Sequence, residues 1–180
     1  AQKLYDFMWN EYCDWYIEMA KPRLFDKTET TRAEVLYVLR RVLKQSMQLL
    51  HPFMPFLTEE VYQYLRDETD ASSIMVTRWP QTDMAAAYPD EEAQMTRLMD
   101  AIRAIRNIRT EMKVDHQRQP NVILVTKDKA MADLMTHNLV YLRQLANVGD
   151  LQVQATRDNI PDTAVAAILE GGELFIPLGD

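Results

Sequence analysis

The stretch Gln48–Leu65, QLLHPFMPFLTEEVYQYL, decides how the rest of the chain is read. It is an apolar run cut by Pro52 and Pro55. A proline has no backbone N–H, and its ring clashes with the preceding helical turn. The helix arriving through Leu49 and Leu50 must therefore stop near His51. Proline suits a first turn, so a new helix can start at once, with Glu59 and Glu60 expected in that turn, where the helix dipole favours negative charge. Phe53, Met54 and Phe56 are too apolar for a solvated loop. The stretch predicts a tight, buried corner between two packed helices, the hinge of a helical bundle.

Working outward, Thr31-Arg32-Ala33-Glu34 has the pattern of a capping box. A helix of about 20 residues should follow it into the corner, carrying Val35, Leu36, Val38, Leu39, Val42, Leu43, Met47 and Leu50. Ahead of it, residues 1–20 read as a helix ended by Pro22. Leu4, Phe7, Met8, Tyr12, Trp15, Tyr16 and Met19 share one face, and Trp9, Cys13 and Ile17 widen it. These rings suit core packing, or an exposed one or two could stack on unpaired bases. Beyond the corner, Val61, Tyr64 and Leu65 continue the next helix. From Asp67 to Tyr88 periodicity is lost, which predicts a long surface connection pinned by Trp79, with a short extended piece at 74–77.

Pro89-Asp90-Glu91-Glu92 predicts a helix start, with Asp90 as its cap. The helix should run to about Lys113 on a stripe of Met95, Leu98, Ile102, Ile105 and Met112. Arg103, Arg106, Asn107 and Lys113 cluster beside the stripe and Arg109 falls on it. Between Arg97 and Arg118 there are six basic residues against three acidic ones, in a chain of net charge −7. Two readings fit: a solvated face with Arg109 buried against a carboxylate such as Asp14, or a helix that contacts phosphates and bases through arginine's planar fork.

After Gln119-Pro120 the pattern alternates. Val122–Val125 reads as a strand, Lys129 to about Asn147 as a helix, and Leu151–Ala155, Ala164–Glu170 and Glu173–Pro177 as strands. Gly171-Gly172 marks a hairpin. The expected organisation is a mainly α chain, with an antiparallel helical bundle over 1–117 and a small β-α-β-β-β module over 118–180.

The totals bound the function. With 180 residues, 47% hydrophobic and 26% charged, the chain has the makeup of a globular protein. The single cysteine, Cys13, forms no internal disulfide and suits a reducing compartment. No apolar run reaches the roughly 18 residues of a membrane span. No signal peptide precedes the first helix, and the start inside a helix without Met suggests a piece of a longer protein. There is no glycine-rich phosphate loop and no HExxH, CxxC or GxSxG motif. His51, His116 and His137 are far apart in the chain; His51 suits a hydrogen-bonded core position and His116 a solvent-facing one. No catalytic or metal site is expected.

Three groups of residues carry a resemblance: WNEYCDWYIE (Trp9–Glu18), LHPFMPFLTEE (Leu50–Glu60), and Ser73-Ile74-Met75 with Trp79-Pro80. Together they resemble the anticodon-binding domain of class I aminoacyl-tRNA synthetases. CDWYIE, AIRNIRTEM (Ala104–Met112) and GGELFIPL (Gly171–Leu178) are more selective and are similar to valyl-tRNA synthetases of bacterial type. The HIGH and KMSKS signatures, the editing domain and the terminal coiled coil are absent. The resemblance implies that the complete enzyme uses ATP and magnesium to join valine to its tRNA, and that this part, needing no cofactor, holds the tRNA. It implies a cytoplasmic monomer whose partners are a valine-type anticodon stem-loop and the rest of the synthetase chain, with no membrane contact. The residues implied for RNA are Trp9, Lys21 and Arg23 around the first helix, Arg103 and Arg106 on phosphates, and Asn107 and Arg109 reading base edges or bracing the loop that does. The α/β module is expected to space the coiled coil from the bundle. The competing class is a helical protein–protein module that binds no RNA.

Overall fold

A computed structural model describes residues 2–26 and 28–177. Ala1 and Leu178, which the sequence assigns to the first helix and the last selective stretch, lie outside them. The architecture is mainly helical with a small α/β module, and the chain forms two compact units, Ala1–Ala85 and Ala86–Asp180.

The first unit opens with α1 over residues 2–25: Gln2–Asp6 and Glu18–Phe25 are α-helical, and Phe7–Ile17 between them is π-helical. Pro22 lies inside this helix and does not end it, contrary to the sequence expectation. The segment Glu18–Phe25 is α-helical on both sides of Pro22, and the Asp26 amide still returns to the Pro22 carbonyl at 3.1 Å. A π turn, wider than an α turn, smears the 3.6-residue stripe. Tyr12, Trp15, Met19 and Ala20 are buried, whereas Tyr5, Phe7 and Trp9 are exposed.

Helix α2, Arg32–Leu50, starts without the expected capping box. The Thr31 hydroxyl instead donates to Glu29 Oε1 at 2.6 Å and accepts from Arg23 Nε at 2.8 Å. The corner forms as the prolines require: the amides of Phe53 and Met54 return to the Leu50 carbonyl, and α3, Pro55–Leu65, begins on Pro55. It is not buried, however. Phe53, Met54 and Phe56 are all exposed, Phe56 by 91%. Glu59 and Glu60 also miss the first turn of α3, which the residues from Pro55 to Thr58 fill.

Helix α3 runs antiparallel to α2, since Arg40 Nε donates to the Leu65 carbonyl at 2.7 Å while the other ends meet at the corner. Met47, Tyr62 and Ile74 form the core between them, with Leu43, Leu50 and Val61 packed on it. Helix α1 joins through Tyr12, whose hydroxyl donates to the Leu39 carbonyl at 2.8 Å. Burial pushes the Tyr12 pKa up to about 12, so this donor keeps its proton at neutral pH. The connection after α3 forms a 3₁₀ turn at Ile74–Val76, not an extended piece. Its pin is Ile74, 4% exposed, and not Trp79, which is 54% exposed. Glu59 fastens it by accepting from the Ser73 hydroxyl and the Ile74 amide. Lys44 reaches Asp70 at 2.7 Å, closing the same segment onto α2.

In the second unit α4, Pro89–Glu111, carries Pro89 at its start and Asp90, Glu91 and Glu92 in its first turn. Asp90 is therefore a first-turn acid and not the cap, because the helix begins at Pro89 and Tyr88 takes the cap position. Leu98, Met99, Ala101, Ile102, Ile105 and Ile108 are buried, while Met95 and Met112 at the two ends of the expected stripe are exposed. The sheet contains β1 (Val122–Val125), β2 (Leu151–Gln154), β3 (Ala164–Leu169) and β4 (Gly172–Pro177) in the order β2-β1-β4-β3. β1 and β2 are parallel, and β4 is antiparallel to both β1 and β3. The crossover holds two helices, α5 (Lys129–His137) and α6 (Leu139–Ala146), where the sequence suggests one. The Asn138 side chain donates to the Leu134 carbonyl at the break. Helix α4 packs against β3, β4, α5 and α6. The β3–β4 hairpin turns on Gly171, at φ +90, while Gly172 is required for close approach, since a Cβ there would lie 3.0 Å from the Val125 carbonyl oxygen.

The Lys44–Asp70 pair yields a pH prediction. Hydrogen bonds from Lys44 and from the Asp67 amide hold the Asp70 pKa below its ordinary 3.8. Its contribution is complete above that value and is lost as pH falls through the lower, folded-state pKa. Asp70→Asn should destabilise the first unit by about 1 kcal/mol in urea denaturation at pH 7. The difference from the parent should shrink below about pH 4.

Candidate nucleic-acid interface

The seven residues implied for RNA fall in both units. On α1, Trp9 is 59% exposed and stacks on Tyr5, with ring centroids 6.4 Å apart and planes within 3°. These residues are four apart on a helix whose π turn brings neither ring into the core. Lys21 is paired with Glu18 at 2.6 Å, and Arg23 with Thr31 at 2.8 Å, the Glu34 carboxylate lying 3.8 Å away. Both cations stay partly exposed.

On α4, Arg103 is exposed and paired with Asp100 at 2.9 Å, one helical turn back. Surface pairs of this kind are worth little and exchange partners readily. Asn107 is exposed. Arg106 donates through Nε to the Leu145 carbonyl at 2.7 Å, which fixes the plane of its guanidinium.

Arg109 behaves differently. It is 8% exposed, and its bonds go to backbone oxygens: Arg118 at 2.9 Å, Asp115 at 3.1 Å and Asn147 at 3.3 Å. The carboxylate partner suggested by the sequence, Asp14, belongs to the other compact unit. Carbonyls can solvate a guanidinium this way because it presents five donors in a rigid fork. Two of those acceptors belong to the loop after α4 and the third to the end of α6. Asn147, in the left-handed region at φ 54, grips the same loop by donating from its side chain to the carbonyls of His116 and Arg118. Lys113, also left-handed at φ 50, ends α4, and the Val114 amide returns to the Arg109 carbonyl at 2.9 Å. Arg109 and Asn147 thus clasp residues 113–118 from behind.

The loop so held lines a cleft of about 730 Å³ with Arg106, Arg109, Thr110, Lys113, His116, Leu145 and Asn147. Lys113 and His116 are exposed there. The sequence places Lys113 in the basic cluster but does not single it out for binding. It gives no signal for Asn147, which is 31 residues from its partner His116. A second cleft, of about 630 Å³, lies in the first unit and includes Tyr37, Arg40, Arg41 and Lys44, with Arg41 poised 6.0 Å from the Tyr37 ring centroid. That group is also absent from the sequence candidates. Among the described residues, no cluster of His, Cys, Asp or Glu is placed to hold a metal, and no helix is long and apolar enough to cross a membrane.

Comparison with known proteins fits this geometry. Residues 1–124 match the family model "Anticodon-binding domain of tRNA ligase", and the chain belongs to that family. Over its whole length it is similar to valine–tRNA ligases. It is 40% identical to that of Clostridium perfringens over 179 residues, 99% of this chain and 20% of that protein. It is 39% identical to that of Bacillus cereus over 180 residues, covering 100% of this chain and 20% of the relative. The chain therefore spans about a fifth of the length of these relatives.

The clasp makes a prediction about stability. Arg109→Met keeps the apolar stem but leaves the loop carbonyls without their donor. Urea denaturation should show a loss of about 2–3 kcal/mol, and limited proteolysis should cut faster within 113–118. An unchanged midpoint and cleavage rate would mean that the guanidinium is not holding the loop.

Proposed function

We propose that this chain holds the anticodon stem-loop of a valine-accepting tRNA, as part of a longer cytoplasmic, monomeric ligase whose other regions join valine to that tRNA with ATP and magnesium. Membership of the anticodon-binding family and similarity to valine–tRNA ligases support the reading. The observation that carries it is the 113–118 loop, clasped by Arg109 and Asn147, with Lys113 and His116 turned to the cleft beside Arg106. An unpaired RNA loop offers phosphates, exposed base edges and ring faces. Arg103, Arg106 and Lys113 supply cations for the first. Asn107 supplies an amide for the second. In the first unit, taken by itself, the Tyr5–Trp9 pair offers ring faces to unpaired bases, and Lys21 and Arg23 offer charge to phosphates. Arg109 acts as the brace. We assign residues 1–117 to anticodon binding and 118–180 to a spacer module. In this reading ATP and magnesium belong to the catalytic part of the longer chain.

The test is a fluorescence titration with a valine-type anticodon stem-loop at several salt concentrations. Affinity should fall steeply as salt rises, and Lys113→Ala should weaken binding to all sequences and flatten the log–log salt slope by about 1. Asn107→Ala should reduce discrimination between valine-type and altered anticodons by about 1–2 kcal/mol with little change in slope. Binding insensitive to both salt and anticodon sequence would overturn the reading.

A further inference from the structure

Helix α2 borders a cleft to which the functional reading gives no role. It encloses about 630 Å³, and its lining includes Leu36, Tyr37, Arg40, Arg41, Lys44 and Asp67. Tyr37, Arg41 and Lys44 recur at i, i+4 and i+7, which puts them on one helix face, and Leu36 and Arg40 form the adjoining row. Two of the three cations are already matched by acids. Arg40 lies 2.6 Å from Asp67 and donates to the Leu65 carbonyl, and Lys44 lies 2.7 Å from Asp70. Arg41 is exposed, and among the described residues its guanidinium has no carboxylate partner. Its Nη1 donates to the Tyr37 hydroxyl at 3.0 Å, and its Cζ stands 6.0 Å from the centroid of the Tyr37 ring. A guanidinium presents five donors, so most of the fork is left for a ligand. The Tyr37 ring beside it is 60% exposed.

We infer that this cleft is a second nucleotide site, which takes one phosphodiester of an unpaired RNA strand on Arg41 and stacks the adjoining base on Tyr37. The inference rests on the chain being RNA-binding, but not on the α4 cleft. Charge selects the ligand. With Arg40 and Lys44 matched by Asp67 and Asp70, the surplus is the single positive charge of Arg41. A phosphodiester in a strand carries one negative charge, whereas the terminal phosphate of a free nucleotide carries about two. A lone phosphate would also leave the tyrosine ring unused, and an aromatic face beside a guanidinium suits a base with its phosphate. Recognition here is blind to sequence, because every base offers a ring face. The hydrogen bond to the Tyr37 hydroxyl holds the Arg41 fork in place before the strand arrives, which reduces the entropy lost on binding.

The test uses two RNA probes on the 180-residue chain, hexauridylate and a valine-type anticodon stem-loop, with ATP as the free-nucleotide control. Tyr37→Leu should weaken hexauridylate binding about tenfold. Arg41→Gln should weaken both probes and flatten the log–log salt slope by about 1. Neither variant should change the preference for valine-type over altered anticodons, which separates this site from the role given to Asn107. Hexauridylate carrying 4-thiouridine should photocrosslink to Tyr37, and the crosslink should survive Lys113→Ala, which separates the two clefts. ATP at the same concentration should not displace it; displacement would make the ligand a free nucleotide and overturn the strand assignment. Parent affinity for both probes in Tyr37→Leu and Arg41→Gln would overturn the site and leave the α4 reading standing. Loss of anticodon preference and of any Lys113 effect, with the Tyr37 crosslink retained, would do the reverse. Should Tyr37→Leu unfold, Arg41→Gln and the crosslink decide the matter.

Discussion

A buried guanidinium is the constraint on which the functional end of this protein depends. Arg109 sits in the apolar stripe of α4, where a charge taken out of water is costly unless every lost hydration bond is replaced. Here the replacement comes from main-chain oxygens of the 115–118 loop and of Asn147. The need is mutual. Those carbonyls belong to irregular backbone with no strand or helix to satisfy them, and the arginine needs acceptors. The hydrogen bonds to those carbonyls offset both the cost of burying the charge and the entropy lost in ordering the loop. Asn147 strengthens the arrangement by holding the loop from α6.

This division of labour clarifies how an acidic chain can bind an anion. The overall charge of −7 opposes RNA at long range. Within a Debye length of about 8 Å at physiological salt, local charges govern instead. Arg106, Lys113 and His116 share one cleft: Arg106 is fixed on the Leu145 carbonyl, and Arg109 holds the loop that carries Lys113 and His116. A cation on a rigid loop loses less entropy on binding than one on a floppy loop. The exposed Tyr5–Trp9 pair follows the same logic on α1, since each ring holds its neighbour in a stacked pose.

Much of the fold was legible in the sequence, because prolines and periodicity are local signals. Pro52 and Pro55 placed the corner, and the stripe from Leu98 to Ile105 marked the buried face of α4. The Gly171-Gly172 pair marked the hairpin. The misreadings have physical causes. Pro22 did not end its helix, which runs α-helical from Glu18 to Phe25 behind a π-helical stretch that no 3.6-residue pattern reveals. The Thr31 box failed because Arg23 and Glu29 competed for the same hydroxyl. The corner was read as buried because apolar residues were taken to pack within this chain, whereas Phe53 and Phe56 face outward. At the candidate site, the sequence could show that Arg109 fell on the apolar stripe, and so that it was unlike Arg103 and Arg106. It could not show which groups would meet it. Backbone carbonyls carry no residue signature, and Asn147 lies 38 residues away.

The central claim is that RNA meets the clasped loop, and its most direct test is backbone-amide NMR of the 180-residue chain during addition of a valine-type anticodon stem-loop. The account predicts that the largest shift changes on α4 and beyond will cluster at Asn107 and at 113–118, and that the Arg109 side-chain resonance will stay nearly fixed because the brace does not touch RNA. Shifts confined to other surfaces, with 113–118 unmoved at saturation, would contradict it.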